Sequence, residues 1–157
     1  MTGCASVPSR QFQQQVGPPI PFQELLEERE THKGEMVILG GYILETVNEP
    51  HGSLLTILQA PLDFRNKPKS QDLSGGRFLL RTEKFLDPEI YTKGCKLTVG
   101  GKVSEVLPQP LGNRLYRYPV IEAEELYLWP KETRYIRPYD PYYDYWHYPW
   151  HWYRYRP

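Results

Sequence analysis

The chain has 157 residues, 19 Lys+Arg against 19 Asp+Glu, and 39% hydrophobic residues. That length carries one domain with a real core plus extensions. Zero net charge excludes a global basic field for nucleic acid, and equally a global field aimed at an acidic partner. No apolar run approaches the roughly 18 residues of a membrane span, so a membrane anchor is expected to be lipid if there is one. The two cysteines, Cys4 and Cys95, exclude a framework of disulfides.

In chain order, the first signal is Thr2-Gly3-Cys4-Ala5-Ser6. A small residue, Gly and Cys, followed at once by a Ser/Pro/Gln-rich segment, reads as the cleavage end of a bacterial lipoprotein signal. On that reading Cys4 is the mature N-terminus and carries the acyl chains. Only Met1 and Thr2 precede Gly3, and Met1 stands where a lipobox normally has Leu. The basic region and the apolar stretch of roughly 7–15 residues that such a signal needs are therefore expected upstream. The plain alternative is a cytosolic protein that begins Met-Thr-Gly-Cys. Residues 5–21 have little to bury and read as a flexible tether, so 1–21 form a lipobox remnant and tether.

Residues 22–130 carry the strand and turn patterns. Phe22–Glu30 reads as a short helix, with Phe22, Leu25 and Leu26 on one side. Glu35–Asn48 is a long first strand broken by Gly40-Gly41, a sign of a bulge or sharp bend. Asn48–Gly52 turns, and Ser53–Ala60 is the second strand. Pro61–Gly75 is a polar loop, and Gly76–Phe85 is the third strand. Asp87 as N-cap, Pro88 at the first helical position and Gly94 past the end predict one or two helical turns. Cys95–Leu107 is the fourth strand, broken by Gly100-Gly101, and it makes Cys95 a buried, inert thiol. Pro108–Asn113 turns. Arg114–Leu128 is the fifth strand, with Pro119 marking an edge or break.

Five strands with a short helix between the third and fourth is the order of an OB-fold. The predicted fold is therefore mainly β: a small OB-fold-like closed barrel of five to six strands, flanked by the N-terminal tether and a C-terminal tail. A bent, glycine-bearing first strand is what closing so small a barrel requires. An irregular six-stranded sandwich is the alternative.

Several of these residues recur together elsewhere. Gly40-Gly41, Leu58-Gln59 with Pro61-Leu62-Asp63, Gly76-Arg77-Phe78, Phe85-Leu86-Asp87-Pro88, Tyr91 with Gly94, Val99-Gly100-Gly101-Lys102-Val103, Tyr118-Pro119-Val120 and Leu128-Trp129 occur in order. As an ordered set over residues 21–130 they resemble the starvation-inducible outer-membrane lipoproteins, the Slp family. The resemblance implies a stress-associated, lipid-anchored protein of the outer membrane facing the periplasm, acylated at Cys4, with no catalytic residues to carry over. Ala5 rather than Asp after the cysteine resembles the enterobacterial sorting pattern for the outer membrane. The missing signal and the long aromatic tail depart from the family pattern.

Chemistry is scarce elsewhere. Glu83, Asp87 and Glu89 cluster in sequence, but Asp87 has a capping role and solvated charges are the plainer reading. Ser74-Gly75-Gly76-Arg77 has the makings of an anion loop, against a simple hairpin turn. No nucleophile elbow is present, so neither an enzyme nor a cofactor is expected. His147 and His151 stand four apart, yet Pro149 between them speaks against a helical metal site.

Residues 131–157 are different material and hold 11 of the chain's 22 aromatics. Pro138, Pro141 and Pro149 oppose regular helix, and Arg134, Arg137, Arg154 and Arg156 flank the run. Tyr and Trp suit stacking on sugar rings or a membrane interface, and Arg adds cation–π contacts. The candidate contacts are Tyr145, Trp146, Trp150, Trp152, Tyr153 and Arg154. A mobile tail without a ligand is the bland reading. Two functions follow: an outer-membrane envelope interaction module, or a binder of glycan or lipopolysaccharide using the barrel face and tail. The expected partners are the membrane, envelope glycan or other envelope proteins, and not nucleic acid.

Overall fold

The computed structural model describes residues 7–27 and 30–132. Five strands carry the fold: β1 (Met36–Glu49), β2 (Gly52–Gln59), β3 (Arg77–Thr82), β4 (Lys96–Leu111) and β5 (Arg114–Leu128). Two short helices precede them, α1 (Arg10–Gln15) and α2 (Phe22–Glu27), and a single 3-10 turn lies at Gln71–Leu73.

β1 is long enough to serve two neighbours. Its first half, Met36–Tyr42, pairs antiparallel with β4, and its second half, from Gly41, pairs antiparallel with β2. β2 pairs with β3, β3 runs parallel to β5, and β5 pairs with β4 along its whole length. The sheet thereby closes in the order β1-β2-β3-β5-β4. Gly41 and Tyr42 are shared by both pairings, Gly41 lying opposite Gln59 on one side and Leu97 on the other. A Cβ there would run into the Leu58 carbonyl, so only glycine lets the strand turn from one partner to the other.

The interior follows from period-two alternation. Ser53, Leu55, Ile57 and Gln59 point inward from β2. They meet Leu39 and Ile43 of β1, Phe78 and Leu80 of β3, Leu97, Val99 and Val103 of β4, and Ile121 of β5. α2 closes one opening, with Phe22 6.1 Å from Phe78 between ring centroids. Its His32 neighbour is also buried: Nδ1 lies 3.3 Å from Glu35, and Nε2 lies 3.2 Å from Glu24 but off the line of a hydrogen bond. A smaller cluster of Leu79, Tyr118 and Val120 lies apart from this interior.

Four expectations need correction. Residues within the expected tether form α1, capped by Ser9, whose Oγ accepts from Phe12 N at 3.2 Å. Phe12 is buried on Gly100, where a Cβ would meet its ring at 2.5–2.8 Å. A Gln-rich segment with one aromatic shows no apolar stripe, so only the bare backbone of β4 reveals where that ring goes. Second, no helix stands between β3 and β4. Asp87 closes a single turn, accepting from Ile90 N and Tyr91 N, and caps it through Glu89 N at 2.9 Å. Third, β4 runs on through Pro108 and Pro110 to Leu111, because these prolines sit on a two-strand extension with one open side. Fourth, β3 is shorter than expected.

Two substitutions separate barrel from attachment. Phe78→Ala opens the barrel interior and should lower stability by about 3–5 kcal/mol in urea denaturation. Phe12→Ala should cost only about 1 kcal/mol globally, while amide exchange at Gln13 and Val16 rises sharply. Equal global losses would show that α1 belongs to the cooperative core.

Candidate functional site

Cys4 and the tail residues Tyr145, Trp146, Trp150, Trp152, Tyr153 and Arg154 lie outside the described residues, as do His147 and His151. The described segments that lead to them meet on one surface. Ser9 N and Oγ both donate to the Glu125 carboxylate of β5, at 2.7 and 2.6 Å. Gln13 Nε2 donates to Pro8 O at 2.7 Å. These bonds lay the segment from Val7 along β5 and β4.

The β2–β3 loop holds the same segment from the other side. Asn66 Nδ2 donates to Val7 O at 2.7 Å, and Asn66 O accepts from Thr98 Oγ1 at 2.6 Å. Thr98 Oγ1 in turn accepts from Trp129 Nε1 at 2.9 Å. Thr98 is 1% exposed although it precedes an inward-facing Val99, because this cover lies over it. One chain of bonds therefore links the N-terminal segment, the loop, β4 and the residue after β5. A hollow of about 300 Å³ lies beside it, lined by Val7, Pro8, Ser9, Glu125, Leu126 and Tyr127 among others. A second, of about 350 Å³, runs between the 16–20 link and β1 residues 36–39.

The loop itself is tightly built. Leu62 bridges Pro68, and Asp63 N donates to Lys67 O at 2.9 Å. Asp63 Oδ1 accepts from Arg65 N and Lys67 N at 2.8 and 2.9 Å. The bond from Lys67 N, then the nearby Arg65, holds this carboxyl below the usual aspartate range. Asn66 takes the left-handed φ of 59° that Asn tolerates at such a tip. Tyr42 OH donates to Lys69 O at 2.7 Å. Glu132 bridges Lys67 and Lys96, at 2.7 and 3.2 Å. The two ammonium groups also stand over rings, Lys67 over Trp129 and Lys96 over Tyr42, each 5.7 Å from the centroid. Tyr127 meets Trp129 edge-on at 4.9 Å. The sequence reading gave Pro61–Gly75 only as a polar loop and missed its internal bonds and partners, although Asp63-Phe64-Arg65-Asn66 carries an Asx-turn signal.

Other sequence candidates resolve plainly. Glu83, Asp87 and Glu89 are all exposed. In the Ser74–Arg77 loop, Gly75 N donates to Gln59 Oε1, Gly76 N to Ser74 Oγ and Arg77 N to Tyr116 OH. Those amides are occupied internally, which removes the anion nest. Cys95 is buried, with Thr92 Oγ1 3.2 Å from its sulfur. Arg81 is held between Glu105 and Glu122 at 2.9 and 3.0 Å, and the Glu105 bond, then Glu122, keeps the guanidinium still more firmly protonated. Among the described residues, no three His, Cys, Asp or Glu side chains gather as a metal site, and no helix is long and apolar enough to cross a membrane.

Fold and surface together define a small five-stranded β domain, with its N-terminal segment and the residue after β5 joined through one bonded network. The family model for the outer membrane lipoprotein Slp family matches residues 1–157, and the chain belongs to that family. Over 141 residues it is 27% identical to an uncharacterized Haemophilus influenzae protein, spanning 89% of this chain and 76% of that one. It is 24% identical to the uncharacterized lipoprotein YeaY of Escherichia coli over 141 residues, 90% of this chain and 72% of the relative. The protein is thus one of the outer-membrane lipoproteins.

The lysine bridge fixes a pH response. Hydrogen bonds from Lys67, then Lys96, hold the Glu132 carboxyl below the usual glutamate range. The folded value is depressed, so any stabilisation is present above the unfolded glutamate pKa and is lost as pH falls through the lower folded one. In a carbon-detected NMR titration, Lys67→Gln should raise the Glu132 midpoint toward the unperturbed value. No movement would show that Lys67 does not hold the carboxylate in solution.

Proposed function

We propose that the protein is a non-enzymatic envelope module, anchored through acylated Cys4 in the outer membrane and facing the periplasm. The observation that carries this reading is family membership over the whole chain combined with Gly3-Cys4 and the polar segment that follows. More than one acyl chain is needed for stable anchoring, and an N-terminal lipoprotein cysteine supplies that. We read the closed sheet of order β1-β2-β3-β5-β4 as an OB-like barrel, used here as a scaffold that displays surfaces. The fold alone assigns no ligand to it.

The aromatic run 131–157 extends this reading. Its Tyr and Trp content exceeds what packing against a small barrel uses, and such side chains favour the boundary between headgroups and acyl chains. We assign Tyr145, Trp146, Trp150, Trp152, Tyr153 and Arg154 to contacts there. Trp129 stands two residues before that run, with the Lys67 ammonium over its ring.

Expressed behind a lipoprotein signal peptide, Cys4→Ser should lose the acyl mass in intact-protein mass spectrometry and leave the membrane fraction. Unchanged fractionation would sink the anchor. Replacing Trp146, Trp150 and Trp152 together by Ala should weaken vesicle binding by about fivefold or more, at roughly 1 kcal/mol or less per interfacial ring. The thermal transition should not move. Selective loss of binding to polysaccharide instead would favour a glycan-binding role.

A further inference from the structure

We infer that the β2–β3 loop is a built membrane-docking element, with Phe64 entering the headgroup layer of an anionic phospholipid bilayer beside the basic side chains of Arg65 and Lys69. This rests on the reading of Cys4 as the lipid anchor, and it specifies how the barrel is turned toward that membrane.

Phe64 is 94% exposed, the most exposed of the large apolar side chains among the described residues. A single exposed apolar residue is ordinary on a protein surface. Phe85 at 71% and Leu115 at 68% are examples here. Three observations set Phe64 apart. First, the loop that presents it is rigid, tied by the Asp63 cap, the Leu62–Pro68 bridge and the left-handed Asn66. A flexible loop tip loses conformational entropy on inserting, whereas a fixed one does not. Second, the sequence around it is Asp63-Phe64-Arg65-Asn66-Lys67-Pro68-Lys69. Arg65 and Lys69 are exposed, while the Asp63 carboxylate is occupied by backbone amides. An aromatic followed closely by exposed cations fits an anionic headgroup layer, since the ring seeks the apolar boundary and the cations the phosphates.

Third, the loop is bonded to the leash. Asn66, two residues from Phe64, donates to Val7 O, and Val7 is three residues from Cys4. Three residues of extended chain span at most about 11 Å. An acyl-bearing Cys4 therefore keeps Val7, and with it the loop, within about that distance of the headgroups. Trp129 and Tyr42 lie against the same loop through Lys67 and Lys69, so aromatic and basic groups continue beyond its tip. Phe85, past the other end of β3 and beside Lys84 alone, serves as the internal comparison.

The test uses the full chain with Cys4→Ser, so that binding does not depend on the anchor. Vesicles of phosphatidylethanolamine with phosphatidylglycerol are compared with vesicles of phosphatidylcholine. An environment-sensitive fluorophore is attached at Phe64→Cys or at Phe85→Cys, Cys95 being buried. The probe at 64 should shift to the blue on phosphatidylglycerol vesicles, and the probe at 85 should not. Phe64→Ser should weaken binding by about tenfold, as partial burial of a phenyl ring requires. Arg65→Gln and Lys69→Gln should each weaken it by about fivefold, with the effect lost at high salt. These side chains are exposed, so the thermal transition serves as the fold control.

The inference is overturned if the probe at 64 stays aqueous, if Phe64→Ser binds like the parent, or if the Cys4→Ser chain ignores the vesicles. Capture of a protein by a photo-crosslinker at 64 in whole envelopes, with vesicles ignored, also overturns it in favour of a protein partner. Acylation is read separately by mass spectrometry, so failure of the anchor and failure of the loop are told apart.

Discussion

Everything in this molecule depends on β1 changing partners at Gly41. A strand has two edges, and closing five strands requires β1 to offer one edge to β4 and the other to β2. The crossing point brings the Leu58 carbonyl to where a side chain would begin. Without closure, β4 and β1 would leave open edges, which invite pairing with other chains. With closure, Ile43, Leu55, Ile57, Phe78, Leu97 and Ile121 face one another in a single buried interior.

Closure also creates the outer surface to which the N-terminal segment attaches. Gly100 and Thr98 face away from the interior, yet both are buried. One is covered by Phe12, the other by Asn66 and Trp129. The outer face of β4 is thus a second, smaller packing surface, reserved for segments from both ends of the chain and for the β2–β3 loop. Its bonds are polar and partly exposed, each worth about 1 kcal/mol or so. It is therefore a docking arrangement laid over a barrel that supplies most of the stability. For a lipoprotein of the Slp family this has a consequence. The segment from Val7 to Gln15 is fixed to the body of the domain, so an anchor at Cys4, as proposed above, would hold the domain to the membrane in a limited range of orientations.

The strands were legible in the sequence because alternation leaves a plain mark. β2 alternates through all eight of its residues, and β5 was read with its actual bounds. The paired glycines marked the two strands that bend. What misled were local signals outweighed by context. Asp87, Pro88 and Gly94 spell a helix, but the span has room for one turn before Cys95 N bonds back to Thr92. Pro108 and Pro110 spell a turn, but they fall on a hairpin extension where a missing donor costs little. The Gln-rich segment spells a tether, because one phenylalanine cannot announce the bare patch that receives it.

By itself the sequence determined the β class, the chain order of the strand segments and the bending points. These are properties of nearest neighbours along the chain: alternation, turn chemistry and the missing Cβ. The tertiary structure alone decided that Val7, Asn66, Thr98 and Trp129 form one bonded line, and that Phe64 stands beside it in open solvent. Those residues are separated by up to 122 positions. No local periodicity relates them, and only barrel closure brings them together.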